Sequence, residues 1–319
     1  MRPLFPLPRT WLRHGVLIAV GCVNLFVEVR AEKLVVVRST ADEAYAKSRS
    51  VDGVRRRETY IFTRGTFVPG ETHDRSLERA SFDSVVRVLA ADLQKQDYVP
   101  APSIASADLL LVVHWGATAR VDQSYDLDAR SFDAVRELAG EHAAQEQFER
   151  TEAAENGNLM PAAVSGLGGI EQRLDAEISS LQSNQMSTDL GSESTARLLG
   201  FSQALNREQK TLLYSDHYRA LFEMTKEERY FIIVMAYDFQ LLRSQGRLKR
   251  QWIVRASIRS GGVNFGQAVD RISVAAGSYF GTSQEEVIFE RKTDRAGRVD
   301  IGEVTVLGTE SPKSPGKTP

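Results

Sequence analysis

The chain has 319 residues, 42% of them hydrophobic, with 40 basic and 42 acidic side chains and a formal net charge of −2. That length and apolar share support one large folded domain or a domain carrying an insertion. The near-neutral balance excludes a general nucleic-acid binder, and the single cysteine excludes a disulfide framework or a thiolate metal cluster.

The first predicted element is an export signal over residues 1–31. Arg2, Arg9, Arg13 and His14 form a basic stretch, residues 15–27 an apolar core, and Val29-Arg30-Ala31 a cleavage pattern. An apolar core of that length is too short to span a bilayer comfortably. Cleavage after Ala31 removes Cys22 and gives a periplasmic or secreted mature chain. Ala19-Val20-Gly21-Cys22 is also similar to a lipobox, which would make Cys22 a lipidated first residue. Both routes take the chain out of the cytoplasm. No later apolar run reaches spanning length, so no transmembrane span is expected in the mature chain.

Residues 32–125 read as the first half of an α+β domain. A β-branched run at 33–38 is the first strand. Residues 39–57 are polar and show no clear period. Residues 58–67 (ETYIFTRGTF) form a second strand, ended by Val68-Pro69-Gly70. Phe82, Val85, Val86, Leu89 and Leu93 recur at helical spacing and predict one helix over 76–96. Residues 107–119 (ADLLLVVHWGATA) then predict a central strand buried on both faces. A strand, a crossover helix and a second strand imply a parallel pair.

Residues 126–226 carry almost no strand signal and read as a helical insertion. Between 126 and 193, fourteen acidic residues stand against four basic ones. Leu167, Ile170, Leu174, Ile178 and Leu181 form a narrow seam typical of helix pairing. That seam and the second face of the sheet both need cover, which the insertion would supply by folding onto the sheet, or a partner by docking.

Residues 227–309 resume the sheet. Strands at 229–242 and 249–259 around a Gln245-Gly246 turn predict a hairpin that pairs Phe239 with Trp252, Tyr237 with Val254, Met235 with Ala256 and Ile233 with Ile258. That register sets Asp238 diagonal to Arg255, close enough for an ion pair. Asn264 caps a second helix over 264–280 with buried Phe265, Val269, Ile272 and Ala276. Further strands are expected at 286–291 and 299–307, with a bulge near Gly302. Residues 310–319 form a Pro/Lys/Ser tail, expected to be disordered.

The chemistry-bearing residues do not form a recognisable catalytic motif. His73 sits in a polar loop, His114 ends the central strand beside Trp115, His142 falls on an apolar helical stripe, and His217 comes directly after Asp216. No pair has metal-ligand spacing, no GxSxG elbow is present, and the glycines at 166–169 lack a following GK[ST]. Asp126 and Asp128 stand where acids serve a helix N-terminus. No metal site and no cofactor are expected. The candidate binding residues are His114, Trp115, Asp238 and Arg255. A hydrolase-like alternative would assemble its site from His114, Asp238 and Arg255 near the sheet.

Three segments in order, Leu93-Gln-Lys-Gln-Asp-Tyr-Val99, Ala107-Asp-Leu-Leu-Leu-Val-Val113, and the 230–257 hairpin with the helix ending Ala275-Ala-Gly-Ser-Tyr-Phe-Gly281, resemble small envelope domains of bacterial periplasmic proteins and lipoproteins. Their layout is similar to the sheet-and-helix domains of curli-secretion and peptidoglycan-synthase-activator lipoproteins. The resemblance covers about half of residues 32–319, and the acidic helical insertion departs from it. It implies an envelope location, an accessory or binding role, and an envelope protein or cell-wall component as partner. It supplies no catalytic residues. The expected fold is α+β: a mixed β-sheet with helices packed on one face and a long helical insertion.

Overall fold

The computed structural model describes residues 34–51, 53–71, 74–118, 126–155, 191–209, 215–290 and 306–307. The export signal, His73, the seam at 167–181, the glycines at 166–169, the bulge near Gly302 and the tail at 310–319 lie outside the described residues.

The fold is α+β, built on one mixed sheet. Its strands are β1 (Val35–Ala41), β4 (Glu58–Val68), β5 (Tyr98–Pro100), β6 (Leu109–Ala117), β7 (Arg229–Asp238), β8 (Arg250–Arg259), β9 (Ile288–Glu290) and β10 (Val306–Leu307). The order across the sheet is β10-β4-β6-β7-β8-β1-β9, with β5 also paired to β4. The β4–β6 pair is parallel, as a crossover connection requires, whereas β6–β7, β7–β8 and β8–β1 are antiparallel. β2 (Ser50–Val51) and β3 (Val54–Arg55) form a separate two-stranded ribbon.

Alternation along the strands divides the apolar residues into two cores. On β6, Leu109, Leu111 and Val113 enter the first core, and Leu110 and Val112 the second. The first core is covered by α3 (Phe82–Gln94) and α9 (Phe265–Ala276), whose predicted stripes are buried throughout. Each fully buried Val, Leu or Phe contributes about 1.5–3 kcal/mol. The expected single helix at 76–96 is interrupted. Asp74 caps the short α2 (Arg75–Glu78), and Ser81 starts α3 anew by accepting from the Ser84 N–H at 3.2 Å. The polar stretch at 39–57 also holds a helix, α1 (Glu43–Arg49), because Asp42 accepts from the Tyr45 N–H at 2.9 Å.

The insertion leaves the sheet after β6 and returns at β7 on the same rung, with Ala117 paired to Tyr230. Its described helices are α4 (Leu127–Glu155), α5 (Gly191–Leu199), α6 (Ser202–Gln209) and α7 (Asp216–Lys226). They fold onto the second face, where Phe132, Val135, Leu199 and Phe201 pack in one core with Leu110, Ile233 and Ile253. The sheet's second face is therefore covered by the chain's own helices. Among the described residues no helix is long and apolar enough to cross a membrane.

The β7–β8 connection differs from the two-residue turn. Asp238 accepts from the Leu241 N–H at 2.8 Å and starts α8 (Phe239–Gln245), which Gly246 closes at φ 67°. The helix takes up residues assigned to strand, so the register moves by three. Ala236 faces Trp252, Val234 faces Val254, Ile232 faces Ala256 and Tyr230 faces Ile258. An odd shift exchanges faces, and Ile233 and Met235 enter the second core instead of joining Trp252 in the first. Local capping by Asp238 outweighed the apolar alternation on which the expected register rested.

A buried polar knot ties α1 to the sheet. The Tyr45 hydroxyl donates to Glu58 Oε2 at 2.6 Å, and Arg49 Nη1 donates to the same oxygen at 2.8 Å. Arg56 donates to Glu58 Oε1, the Tyr98 hydroxyl lies 2.9 Å from that of Tyr45, and the Arg49 guanidinium sits 3.7 Å over the Tyr98 ring. Burial pushes the Tyr98 phenol up to about 12, and Tyr45 is raised as well, chiefly by burial, so both remain neutral donors.

Candidate functional site

His114 lies on β6 with no exposed surface. Its Nδ1 accepts from the Thr66 N–H at 3.0 Å. Its Nε2 lies 2.8 Å from Ser131 Oγ, and Ser131 donates its own proton to the Leu127 carbonyl at 2.8 Å. These partners fix a neutral ring with the proton on Nε2. Thr66 reaches the ring because β4 bulges: Arg64 pairs with Val113 and Phe67 with Trp115, so two residues oppose His114. Gly65 makes that approach possible, since a Cβ there would fall 2.7 Å from Nδ1. Burial lowers the imidazole pKa to about 3. His114 is thus a clip joining β4, β6 and the insertion.

The other candidates separate. Trp115 turns to the opposite face and is 1% exposed, with Phe67 and Phe82 each 5.7 Å away. Asp238 caps α8 and accepts from Gln251 Nε2 at 3.0 Å. The expected Asp238–Arg255 ion pair is not formed, because the register that would have made it is displaced by three residues. His114 and Arg255 share a face but flank Ile233 on the strand between them. At about 4.8 Å per strand the two side chains start about 10 Å apart. The hydrolase-like set is therefore not assembled.

Arg255 instead meets Arg38, a residue absent from the sequence-based candidates. The two are cross-strand partners on β8 and β1, and their side chains rise on the insertion's face. Arg38 is 8% exposed. It donates to the Gln284 carbonyl, to the Glu286 carbonyl at 3.4 Å and to Gln203 Oε1 at 3.1 Å, all uncharged acceptors. Arg255 is half-buried, and its enclosed Nε has no hydrogen-bond partner. Both stems pass under the α5–α6 turn at Gly200, where a Cβ would lie 3.0 Å from Arg255 Cδ and 3.0 Å from Arg38 Cγ. Gly200 also has φ +79°, so a side chain is opposed by both backbone and space.

Positive charge gathers around this pair, with Asp128 and Tyr237 opposing it at Arg255. Burial lowers the Arg255 pKa to about 10, and Arg250 and Arg38 push the same way. Arg38 is lowered by burial and then by Arg207. Asp128 opposes the shift of Arg255, but its carboxylate is engaged by Arg250 across the sheet–insertion boundary. Asp126 serves the start of α4, accepting from the Asp128 and Ala129 N–H groups at 2.9 and 3.1 Å. Ser202 Oγ, at the start of α6, is buried without a hydrogen-bond partner.

No protein-family model matches the chain, and no curated protein aligns with it significantly. The arginine seam therefore stands on its own geometry. One sequence signal pointed to it: Arg38 closes the run Val35-Val36-Val37 in a strand that stays buried, and a buried arginine calls for an explanation.

A half-buried guanidinium whose enclosed Nε makes no hydrogen bond costs stability. Arg255→Met keeps the stem and removes the charge, so in ligand-free buffer it is expected to raise unfolding free energy by about 1 kcal/mol. A urea titration of the two proteins measures this, and a variant less stable by that amount would mean that Arg255 has compensating contacts.

Proposed function

We propose that this chain is an exported cell-envelope protein that acts by non-enzymatic binding, as an assembly-accessory module, with an envelope protein or cell-wall component as its partner. The observation that carries the reading is the employment of His114. The histidine best placed for proton transfer is sealed in the core, held neutral, and bonded at both ring nitrogens. A general acid or base needs a proton-accepting position open to substrate, and this ring has none. The arginine seam, by contrast, holds unspent binding capacity. The basic and apolar stretches within residues 1–31 support export.

Crosslinking in the cells that make the protein, followed by fractionation and mass spectrometry, tests this. The expected result is a mature N-terminus at Glu32, or a lipidated Cys22, with a one-to-one adduct to an envelope component that Arg255→Glu weakens. A chain retaining Met1 and confined to the cytosol would refute the reading. Residues 126–226 should not be deleted for this purpose, because their described helices cover the second core.

A further inference from the structure

We propose that the Arg255–Arg38 seam under the α5–α6 turn is a receptor for a phosphate dianion, free or as a monoester. The inference rests on the binding-module reading and names the chemistry of its ligand. Four arginines, Arg38, Arg207, Arg250 and Arg255, meet at this seam; among the described residues Asp128 and Tyr237 oppose their charge at Arg255, and Asp128 is itself held by Arg250. Arg255 has an Nε with no hydrogen-bond partner, on a planar guanidinium whose geometry suits a tetrahedral oxyanion. Arg38 has its donors engaged by neutral oxygens, so it contributes charge and a fixed wall. A carboxylate ligand would neutralise one of these two guanidinium groups. A phosphate monoester carries close to two charges and three terminal oxygens, which matches the pair.

The insertion supplies the rest of the setting. Gly200 lets the α5–α6 turn descend onto both arginine stems. Ser202, two residues later, holds a buried hydroxyl with no partner. It opens α6, whose first-turn N–H groups have no intrahelical acceptor, as at any helix start. Gln203 in that same turn already bonds Arg38, so α6 begins at the seam.

The test uses the full chain and ³¹P NMR titration with glycerol 3-phosphate and with inorganic phosphate, at ionic strength held constant with chloride. Acetate serves as the carboxylate comparator. Saturable binding is expected for phosphate, with acetate at least ~10-fold weaker. Arg255→Met should lower phosphate affinity ~10-fold or more, the loss expected for a charge-assisted bond. Arg255→Lys, which keeps the charge and guards against a folding defect, should fall between. Arg87→Met, an exposed position on α3 at the other face, should bind as wild type. Equal binding of both phosphates points to free phosphate as the source, and preference for the ester points to a phosphorylated molecule. No saturable binding, unchanged affinity in Arg255→Met, or acetate binding as tightly as phosphate would each overturn the proposal. Release of inorganic phosphate from the ester would leave the receptor standing and remove the non-enzymatic reading.

Discussion

Acidification is expected to erode the stability that His114 confers, by about 1.4 kcal/mol for each pH unit below about 6.5. The sign comes from the direction of the shift. The buried ring has a pKa of about 3 in the folded chain, whereas an unfolded histidine titrates near 6.5. Between those values the unfolded state takes up a proton that the folded state refuses. The contribution is complete above about pH 6.5 and is lost as pH falls through the folded value, a total on the order of 5 kcal/mol. Other groups titrate over the same range, so the informative quantity is wild type against His114→Gln. Glutamine keeps a donor for Ser131 and gives up the acceptor for the Thr66 N–H, so it starts less stable at pH 7. Urea unfolding at pH 7, 5.5 and 4 should show the gap closing. A gap that stays constant would mean that the ring takes up its proton in place.

The second large effect lies at Glu58. Glu58→Ala is expected to cost about 3–5 kcal/mol, because it strands a buried guanidinium. Arg49 is 5% exposed, and Glu58 is the carboxylate it donates to, at 2.8 Å. The same substitution removes the acceptor of the Tyr45 hydroxyl. Pairing it with Arg49→Met discriminates a broken ion pair from lost packing. The double variant should be more stable than Glu58→Ala alone, since it no longer buries an unpaired cation. A double variant less stable by the sum of the two single losses would show the pair to be uncoupled.

Much of the architecture was legible because it depends on periodicity. The α3 and α9 stripes, the doubly buried β6 and the parallel β4–β6 pair all arise from spacing that the chain keeps over many residues. The failures came where one short polar side chain redirected the backbone. Asp42 started α1 in a stretch without period, Ser81 divided a helix, and Asp238 converted a strand end into α8. Such caps contribute about 1 kcal/mol each, yet each sets the path of the residues C-terminal to it. The site was less legible still. Arg255 could be named from its place on a hairpin face, but Arg38 lies more than two hundred residues away in sequence. Only the finished sheet puts the two side by side.

That separation also dictates when the protein can fold. β1, the first described strand, finds its hydrogen-bond partners in β8 and β9, near the other end of the described chain. β7 and β8 lie between β6 and β1 in the sheet. A chain emerging from a ribosome cannot complete its central rungs until residues 250–259 have emerged too. Assembly therefore waits for almost the whole polypeptide, and such long-range pairing makes it slow. A nascent chain of this topology therefore holds β1 without its sheet neighbours until β8 and β9 have been made.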